Sequence, residues 1–193
     1  MSQAGSLDRS THPWVAEGQR RIRFGIFGGT GSEWAADVEW VQRIEDLGFD
    51  AFWTGDQPIE FPFDCWTHLG ALAGVTKRIR LGSLVTCAAF RHPVLLARQV
   101  ADADRISGGR VVLGLGIGDT PSEFAALGLD YGTVSQRQQR LEELLQILPG
   151  LWGESPFSYE AAHFRIQETR VAPGLVQPRV PSLIAGGGER VTL

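Results

Sequence analysis

Residues 79–118 contain the feature that constrains the fold most, two apolar runs on either side of a segment with helical spacing. The runs cover 80–85 and 111–115 and are rich in residues that favour β-strands. Between them, Pro93 stands where a first helical turn tolerates a missing N–H. A Ser-Gly-Gly sequence at 107–109 ends the helical pattern. Strand, crossover helix and strand form a βαβ unit, and strands that are apolar throughout predict a parallel sheet covered on both faces.

The rest of the chain continues this alternation of strands and helices. Further apolar runs predict three more strands, at 22–27, 50–54 and 181–185. Amphipathic spacing predicts three more helices, at 32–47, 63–75 and 135–152. Strict alternation predicts an α/β fold with a parallel sheet, and it leaves open whether the sheet is doubly wound or closed as a barrel.

Composition along the chain predicts its domain organisation. Residues 1–21 are polar and irregular, and we expect a flexible N-terminal arm there. Residues 22–193 carry the strand and helix pattern, interrupted by an insertion at 153–181 that contains four prolines and predicts a short hairpin around 157–166. The chain stops one turn into the helix predicted after 185, so we expect it to be part of a longer protein.

Composition and charge argue against several classes of protein. With 43% hydrophobic and 21% charged residues, the sequence is that of a globular domain with a sizeable core. A formal net charge of −4 argues against nucleic-acid and anionic-membrane partners. The sequence has no apolar run of bilayer length and no signal pattern, so we expect a cytoplasmic protein. Neither the two cysteines nor the four histidines have metal-ligand spacing, and we expect no metal site.

Polar residues follow three of the predicted strands. Asp56 and Gln57 follow the second strand, Thr86 ends the third, and Asp119 and Glu123 follow the fourth. Because the carboxyl ends of parallel strands meet at one edge of the sheet, we expect these side chains to form a site. A carboxylate there acts as a general acid or base, and a hydroxyl donates and accepts hydrogen bonds. Helix caps and solvated carboxylates are the structural alternatives.

Three groups of glycines accompany these strand ends. The first has the spacing of a weak dinucleotide fingerprint, for which a flexible turn is the alternative: Gly25, Gly28 and Gly31. The second alternates along the fourth strand, where a flat ligand or another backbone segment can approach: Gly114, Gly116 and Gly118. The third lies at a strand-to-helix junction and offers backbone N–H groups to a phosphate: Gly186, Gly187 and Gly188.

Taken together, these segments resemble the luciferase-like monooxygenase superfamily, and within it the branch that uses the deazaflavin coenzyme F420. The resemblance covers residues 22–193. It rests on long, ordered segments of the sequence: GFDAFWTGD (48–56), the whole of 79–118, SEFAALG (122–128), RQQRLEELL (137–145) and VQPRVPSLIAGGGE (176–189).

The resemblance implies a bacterial luciferase-like (β/α)8 TIM barrel, of which this chain holds strands one to five. It implies that the cofactor ring, of F420 or alternatively of FMN, lies across the barrel mouth near a non-proline cis peptide at Ser83–Leu84. Asp56 and Thr86 match positions that contact the ring. The phosphate would bind at the last glycine group and the residue after it: Gly186, Gly187, Gly188 and Glu189.

One departure from the family bears on catalysis. The family often has Asp-His where this chain has Asp56-Gln57, and Gln57 forms hydrogen bonds but does not protonate at neutral pH. Proton transfer would then fall to Asp119, which matches an acidic position in some sugar-phosphate dehydrogenases of the branch, or to Glu123.

The resulting hypothesis is an F420-dependent oxidoreductase that transfers a hydride to or from a small-molecule substrate. An FMN-dependent monooxygenase that uses molecular oxygen and a non-catalytic flavin-binding scaffold are the alternatives. We expect a homodimer formed by the apolar helices at 63–75 and 93–106. We also expect the 193-residue chain to be inactive and poorly soluble or oligomeric by itself, because five strands of a barrel leave two parallel edges exposed.

Overall fold

The computed structural model describes residues 12–29 and 31–186, which form an α/β structure. Helices and strands alternate along most of the chain, as the sequence predicts. Their bounds are α1 Pro13–Gly18, β1 Gly25–Phe27, α2 Trp34–Asp46, β2 Ala51–Thr54, α3 Cys65–Val75, β3 Arg80–Ser83, β4 Thr86–Cys87, α4 Pro93–Ser107, β5 Val111–Gly116, α5 Pro121–Ala126, α6 Val134–Leu151, β6 Phe157–Glu160, β7 Arg165–Thr169 and β8 Ser182–Ile184.

Six of the strands form one parallel sheet, which confirms the predicted sheet type. The order is β1-β2-β3-β5, and β5 also pairs with β4 and β8. The apolar run predicted as one strand over 80–85 is divided at Leu84 and Val85. Before the break β3 pairs with the start of β5 at Leu81 and Gly82, and after it β4 pairs with the end of β5. Strands β3 and β4 therefore pair with the two ends of β5.

The helices pack against the sheet and bury its apolar residues. The predicted helix 93–106 is confirmed as α4, which ends at Gly108 in the left-handed conformation with φ 68°. The predicted helix 135–152 is confirmed as α6, whose capping box joins Thr133 and Gln136. Apolar side chains of both helices belong to one core with those of α3 and β5. No helix among the described residues is long and apolar enough to cross a membrane.

A buried carboxylate, that of Glu45, attaches helix α2 to the segment just before β3. Glu45, near the end of α2, accepts backbone N–H groups of Lys77 at 2.9 Å, Arg78 at 2.6 Å and Ile79 at 2.8 Å. Burial acts to raise the pKa of Glu45, but these hydrogen bonds outweigh it and leave the pKa lowered. The charged carboxylate thus ties α2 to the segment that enters β3.

Of the segment 1–21, for which the sequence predicts a flexible arm, residues 13–18 form helix α1, and residues 1–11 lie outside the described part of the chain. His12 caps this helix through a hydrogen bond from the Trp14 backbone N–H to Nδ1, 3.1 Å long. The Trp14 ring lies 4.5 Å from the Arg23 guanidinium and 5.1 Å from that of Arg80, at cation–π distances. The segment that begins at residue 12 is therefore attached to the sheet at Arg80, where β3 begins. This end of the sheet is opposite the carboxyl ends of the strands. In the predicted insertion, β6 and β7 form the expected antiparallel hairpin.

One edge of the sheet is apolar and exposed. Among the described residues β1 pairs only with β2. Phe24 is 64% exposed and Phe27 51% exposed beside it. An exposed parallel edge with large apolar side chains is a template for association with another chain.

We predict that the 193-residue chain self-associates through this edge. Size-exclusion chromatography with light scattering should give a mass above the 21.1 kDa of one chain. Phe24→Lys should shift the distribution toward the monomer, because a charged side chain at an edge opposes pairing. A monodisperse monomer that unfolds cooperatively would contradict the prediction.

We predict that Gly114 cannot be replaced without loss of stability. A Cβ there would lie 2.1 Å from the backbone oxygen of Ser83, so Gly114→Ala should lower the free energy of unfolding by about 1–3 kcal/mol or more. Gly70 in α3 is the control, since nothing lies within 4 Å of its Cβ position and Gly70→Ala should raise stability by about 0.5–1 kcal/mol. Denaturant unfolding of both variants checks this, and equal effects would refute it.

Candidate active site

A cavity of about 440 Å³ opens at the carboxyl ends of the strands. The ends of β2 and β5, the break between β3 and β4, and residues of α5 and α6 form its wall. It brings together seven of the residues predicted from the sequence: Asp56, Gln57, Leu84, Gly116, Asp119, Glu123 and Gly186. These seven residues therefore share one cavity wall, and their catalytic and binding roles stay predictions.

Asp56 is an acidic side chain buried on the cavity wall, with 1% of the side chain exposed. Its Oδ2 accepts the Cys87 backbone N–H at 3.2 Å and pairs with the Arg91 guanidinium. Its Oδ1 is buried and has no hydrogen-bond partner in the described chain. Burial raises the pKa of Asp56, and the Arg91 pair acts against that rise. Asp56 therefore has one buried acceptor atom that no hydrogen-bond donor of the described chain satisfies.

Two other predicted catalytic residues lie nearer the cavity mouth. Gln57 is half-buried and its Nε2 donates to Glu60 at 3.3 Å. Asp119 is exposed and accepts the Thr120 hydroxyl at 3.1 Å. Both side chains are held by short-range contacts within the chain and remain open to a ligand in the cavity.

Glu123, in α5, is the third predicted catalytic residue and is buried. Its Oε1 accepts the Ile59 backbone N–H at 3.4 Å. Burial raises the pKa of Glu123, and the neighbouring carboxylates Glu60, Asp56 and Asp119 raise it further. Glu123 therefore retains its proton to a higher pH than an ordinary glutamate.

The structure does not bring the hydroxyls of Ser83 and Thr86 to the cavity. Both residues are fully buried. The Ser83 hydroxyl donates to the Gly114 carbonyl at 2.8 Å and accepts the Gly114 N–H at 3.1 Å, while the Thr86 hydroxyl accepts the Trp66 indole N–H at 3.1 Å. These hydroxyls join the strands and helix α3 behind the cavity wall.

The cis peptide lies one residue further along than the resemblance implied. It joins Leu84 and Val85, so the prediction of Ser83–Leu84 is wrong. Leu84 and Val85 both line the cavity. The break between β3 and β4 therefore presents apolar side chains to any ligand bound there.

The alternating glycines of β5 accommodate the chain itself. A Cβ on Gly114 would meet the Ser83 backbone, and a Cβ on Gly116 would lie 2.6 Å from Val85 Cγ2. Of the two alternatives for this pattern, the structure thus supports approach by another segment of the same protein, and Gly116 in addition lines the cavity.

The predicted phosphate site lies largely outside the described residues. Gly186 is on the cavity wall. The other members of that prediction fall beyond the described part of the chain, so it remains a prediction for them: Gly187, Gly188 and Glu189.

The first glycine group lies beside a second, smaller cavity of about 290 Å³. Gly28 and Gly31 have positive φ angles of 87° and 128°. The side chain of Asp37, in the first turn of α2, is fully buried here and lies 2.5 Å from His68 Nε2. A buried carboxylate at this helix N-terminus opposes a phosphate, which argues against the dinucleotide alternative.

Arg137 is a site residue that the sequence reasoning missed. It is 6% exposed and lines the main cavity, its guanidinium lies 3.8 Å from the Tyr131 ring centroid, and it donates to the Gly132 carbonyl at 3.0 Å. Its Nε has no partner in the described chain. The sequence did contain a signal for Arg137. It stands four residues before Leu141, and this spacing places it on the buried face of α6.

Among the described residues no group of three or more histidine, cysteine, aspartate or glutamate side chains is arranged to hold a metal ion. On the main cavity wall there is one guanidinium, that of Arg137, and the carboxyl groups are those of Asp56, Asp119 and Glu123. Such a set suits an organic ligand with N–H donors and an anionic group.

A parallel sheet with covering helices and a cavity at the carboxyl ends of its strands defines the class as an α/β protein with a strand-end ligand site. The model of the luciferase-like monooxygenase family matches residues 21–192, and the chain belongs to that family. This confirms the resemblance drawn from the sequence.

Relatives of known activity extend the comparison. The F420-dependent glucose-6-phosphate dehydrogenase of Amycolatopsis mediterranei is 30% identical over 166 residues, which are 80% of this chain and 48% of the relative. The chain thus spans about half the length of that enzyme.

Solved structures show the same fold. The monooxygenase RslO1 from Streptomyces bottropensis matches with a TM-score of 0.71 and 27% identity, over 84% of this chain and 53% of that one. The coenzyme F420 dependent tetrahydromethanopterin reductase from Methanopyrus kandleri matches with a TM-score of 0.79 and 23% identity, over 89% and 52%. The predicted partial luciferase-like barrel is confirmed.

We predict that both cysteines are unreactive in the folded chain. Burial raises the pKa of the Cys87 thiol from 9.0 to about 11, and that of Cys65 well above 9.0. At pH 8 Cys87 then has about a hundredfold less thiolate than an ordinary thiol. A disulfide reagent should modify neither cysteine within minutes and both after denaturation. Rapid labelling of one thiol per native chain would contradict this.

Proposed function

We propose that this chain is the cofactor-binding part of an oxidoreductase that transfers a hydride between coenzyme F420 and a small-molecule substrate. The observation that carries the proposal is the unpartnered Oδ1 of Asp56 on the wall of the strand-end cavity. The F420-dependent relative in Amycolatopsis mediterranei supports the choice of cofactor. When bound, F420 supplies the hydride chemistry, and the protein positions ring and substrate.

Asp56 binds the edge of the cofactor ring. An ionised carboxylate only accepts hydrogen bonds, and Oδ2 is already occupied by Arg91 and the Cys87 N–H. Oδ1 therefore accepts a ring N–H. Leu84 and Val85 provide the apolar surface against which the flat ring packs.

Arg137 binds an anionic group of the cofactor. Its guanidinium is always charged, is buried beside the cavity, and has Nε free of partners in the described chain. Gly186 lies on the same cavity wall, at the start of the glycine group predicted to hold the phosphate. A phosphate between these elements receives both charge and backbone donors.

Protons are handled by carboxyl groups, since Gln57 does not titrate at neutral pH. Glu123 is buried with a raised pKa, so it holds its proton to a higher pH than an ordinary glutamate, which suits a general acid. Asp119 is exposed and lines the same cavity, so it is the second candidate for proton transfer.

An FMN-dependent monooxygenase is the second candidate. The structure of the monooxygenase RslO1, at 27% identity, favours it. The same Asp56 and Arg137 contacts serve a flavin ring and its phosphate. Oxygen consumption during turnover separates this candidate from hydride transfer with F420.

We predict that F420 binds in the cavity and that Arg137 contributes to its affinity. Titration of the full-length protein with F420 and, separately, with FMN, followed by fluorescence quenching, should show preferential binding of F420. Arg137→Met should weaken it about tenfold or more, because a buried charge-assisted hydrogen bond is lost. Arg105→Met, on the exposed surface of α4, removes the same charge and should have no effect.

Preferential binding of FMN would favour the monooxygenase. Binding of neither cofactor would refute the proposal and leave the non-catalytic scaffold. Equal losses in the Arg137 and Arg105 variants would remove the assigned role of Arg137.

A further inference from the structure

Arg91 connects the site to the helix layer without lining the cavity. It lies between β4 and α4, and its side chain is 9% exposed. One terminal nitrogen pairs with Asp56 Oδ2 and the other with Asp64 Oδ2. Asp64 in turn caps α3, accepting the Thr67 backbone N–H at 2.9 Å. A single buried guanidinium therefore bridges the end of β2 and the start of α3.

The ion pair with Arg91 determines which oxygen of Asp56 is left to accept a hydrogen bond from a ligand. Oδ2 receives two donors, from Arg91 and from the Cys87 backbone N–H, while Oδ1 receives none from the described chain. A carboxylate held at one oxygen by a guanidinium and a backbone amide cannot rotate freely about its last bond. Its second oxygen consequently points in one fixed direction.

The charge around Asp56 depends on the same residue. Four further ionisable groups interact electrostatically with Asp56, and none of them can carry a positive charge: Asp64, Glu123, Cys65 and Cys87. Arg91 is the cation in contact with it. Burial raises the pKa of Asp56, and Arg91 opposes this effect.

We propose that Arg91 is a positioning residue that keeps Asp56 ionised and aims its Oδ1 at the cavity, so that Asp56 accepts from the ligand and never donates to it. The inference rests on the proposed function for the identity of that ligand. It goes beyond it by assigning the protonation state and direction of the acceptor to a residue outside the cavity wall.

The test is the pH dependence of Asp56 in three variants. Arg91→Met removes the cation, so the midpoint of Asp56 protonation should rise by about one to three pH units. Arg91→Lys keeps the charge and should leave the midpoint near that of the original protein. Asp64→Asn removes a neighbouring negative charge while its amide oxygen still caps α3, so the midpoint should fall.

Two readouts apply. Carboxyl ¹³C NMR of the ligand-free protein follows Asp56 directly, with Asp56→Asn used to assign its signal. The pH profile of F420 affinity should lose binding on acidification, and Arg91→Met should move this loss to higher pH by the same amount. A purely structural role would lower affinity at every pH and leave the midpoint unchanged, which would overturn the proposal.

The two proposals fail separately. If the original protein binds neither F420 nor FMN, the proposed function fails while the NMR titration still tests Arg91. If Arg91→Met does not fold, the Arg91→Lys and Asp64→Asn variants provide the test. An Asp56 protonation midpoint in Asp64→Asn equal to that of the unsubstituted protein would refute the electrostatic coupling.

Discussion

The close approach of Ser83 to Gly114 is the contact on which the rest of the site depends. The Ser83 hydroxyl forms two hydrogen bonds with the Gly114 backbone, and no side chain fits between the two strands at this point. The chain can then leave β3, turn at Leu84 and Val85, and pair again with the end of β5 as β4. This second pairing places the Cys87 N–H against Asp56.

The buried charged side chains lie around this break between β3 and β4. Asp56 is buried at the end of β2 and is held by Arg91, which also reaches the N-terminus of α3. Arg137 occupies the cavity wall from α6. Each charged group would be costly to bury alone, and each keeps one buried polar atom without a partner in the described chain, Oδ1 of Asp56 and Nε of Arg137. A ligand with a hydrogen-bonding ring edge and an anionic group satisfies both, which links the energetics of the fold to cofactor binding.

The sequence predicts the parts of the fold that depend on local patterns, and it fails where distant residues decide. Pro93 and the Ser-Gly-Gly sequence at 107–109 define α4 because both act within a turn of the helix. Asp56 was found from its place after a strand. The partner of the Thr86 hydroxyl, however, is Trp66 on another element, and no local pattern indicates that contact. Helix α1 was missed for the same reason, since its Trp14 packs on Arg80, far away in the sequence.

A crystal structure of the protein with bound F420 tests the central claim most directly. We predict that the deazaflavin ring lies in the cavity at the strand ends, with a ring nitrogen about 2.7–3.2 Å from Asp56 Oδ1 and the Arg137 guanidinium against an anionic group of the cofactor. A ring bound elsewhere, for example beside Gly28 and Gly31, or an Asp56 Oδ1 without a partner in the complex, would contradict the account.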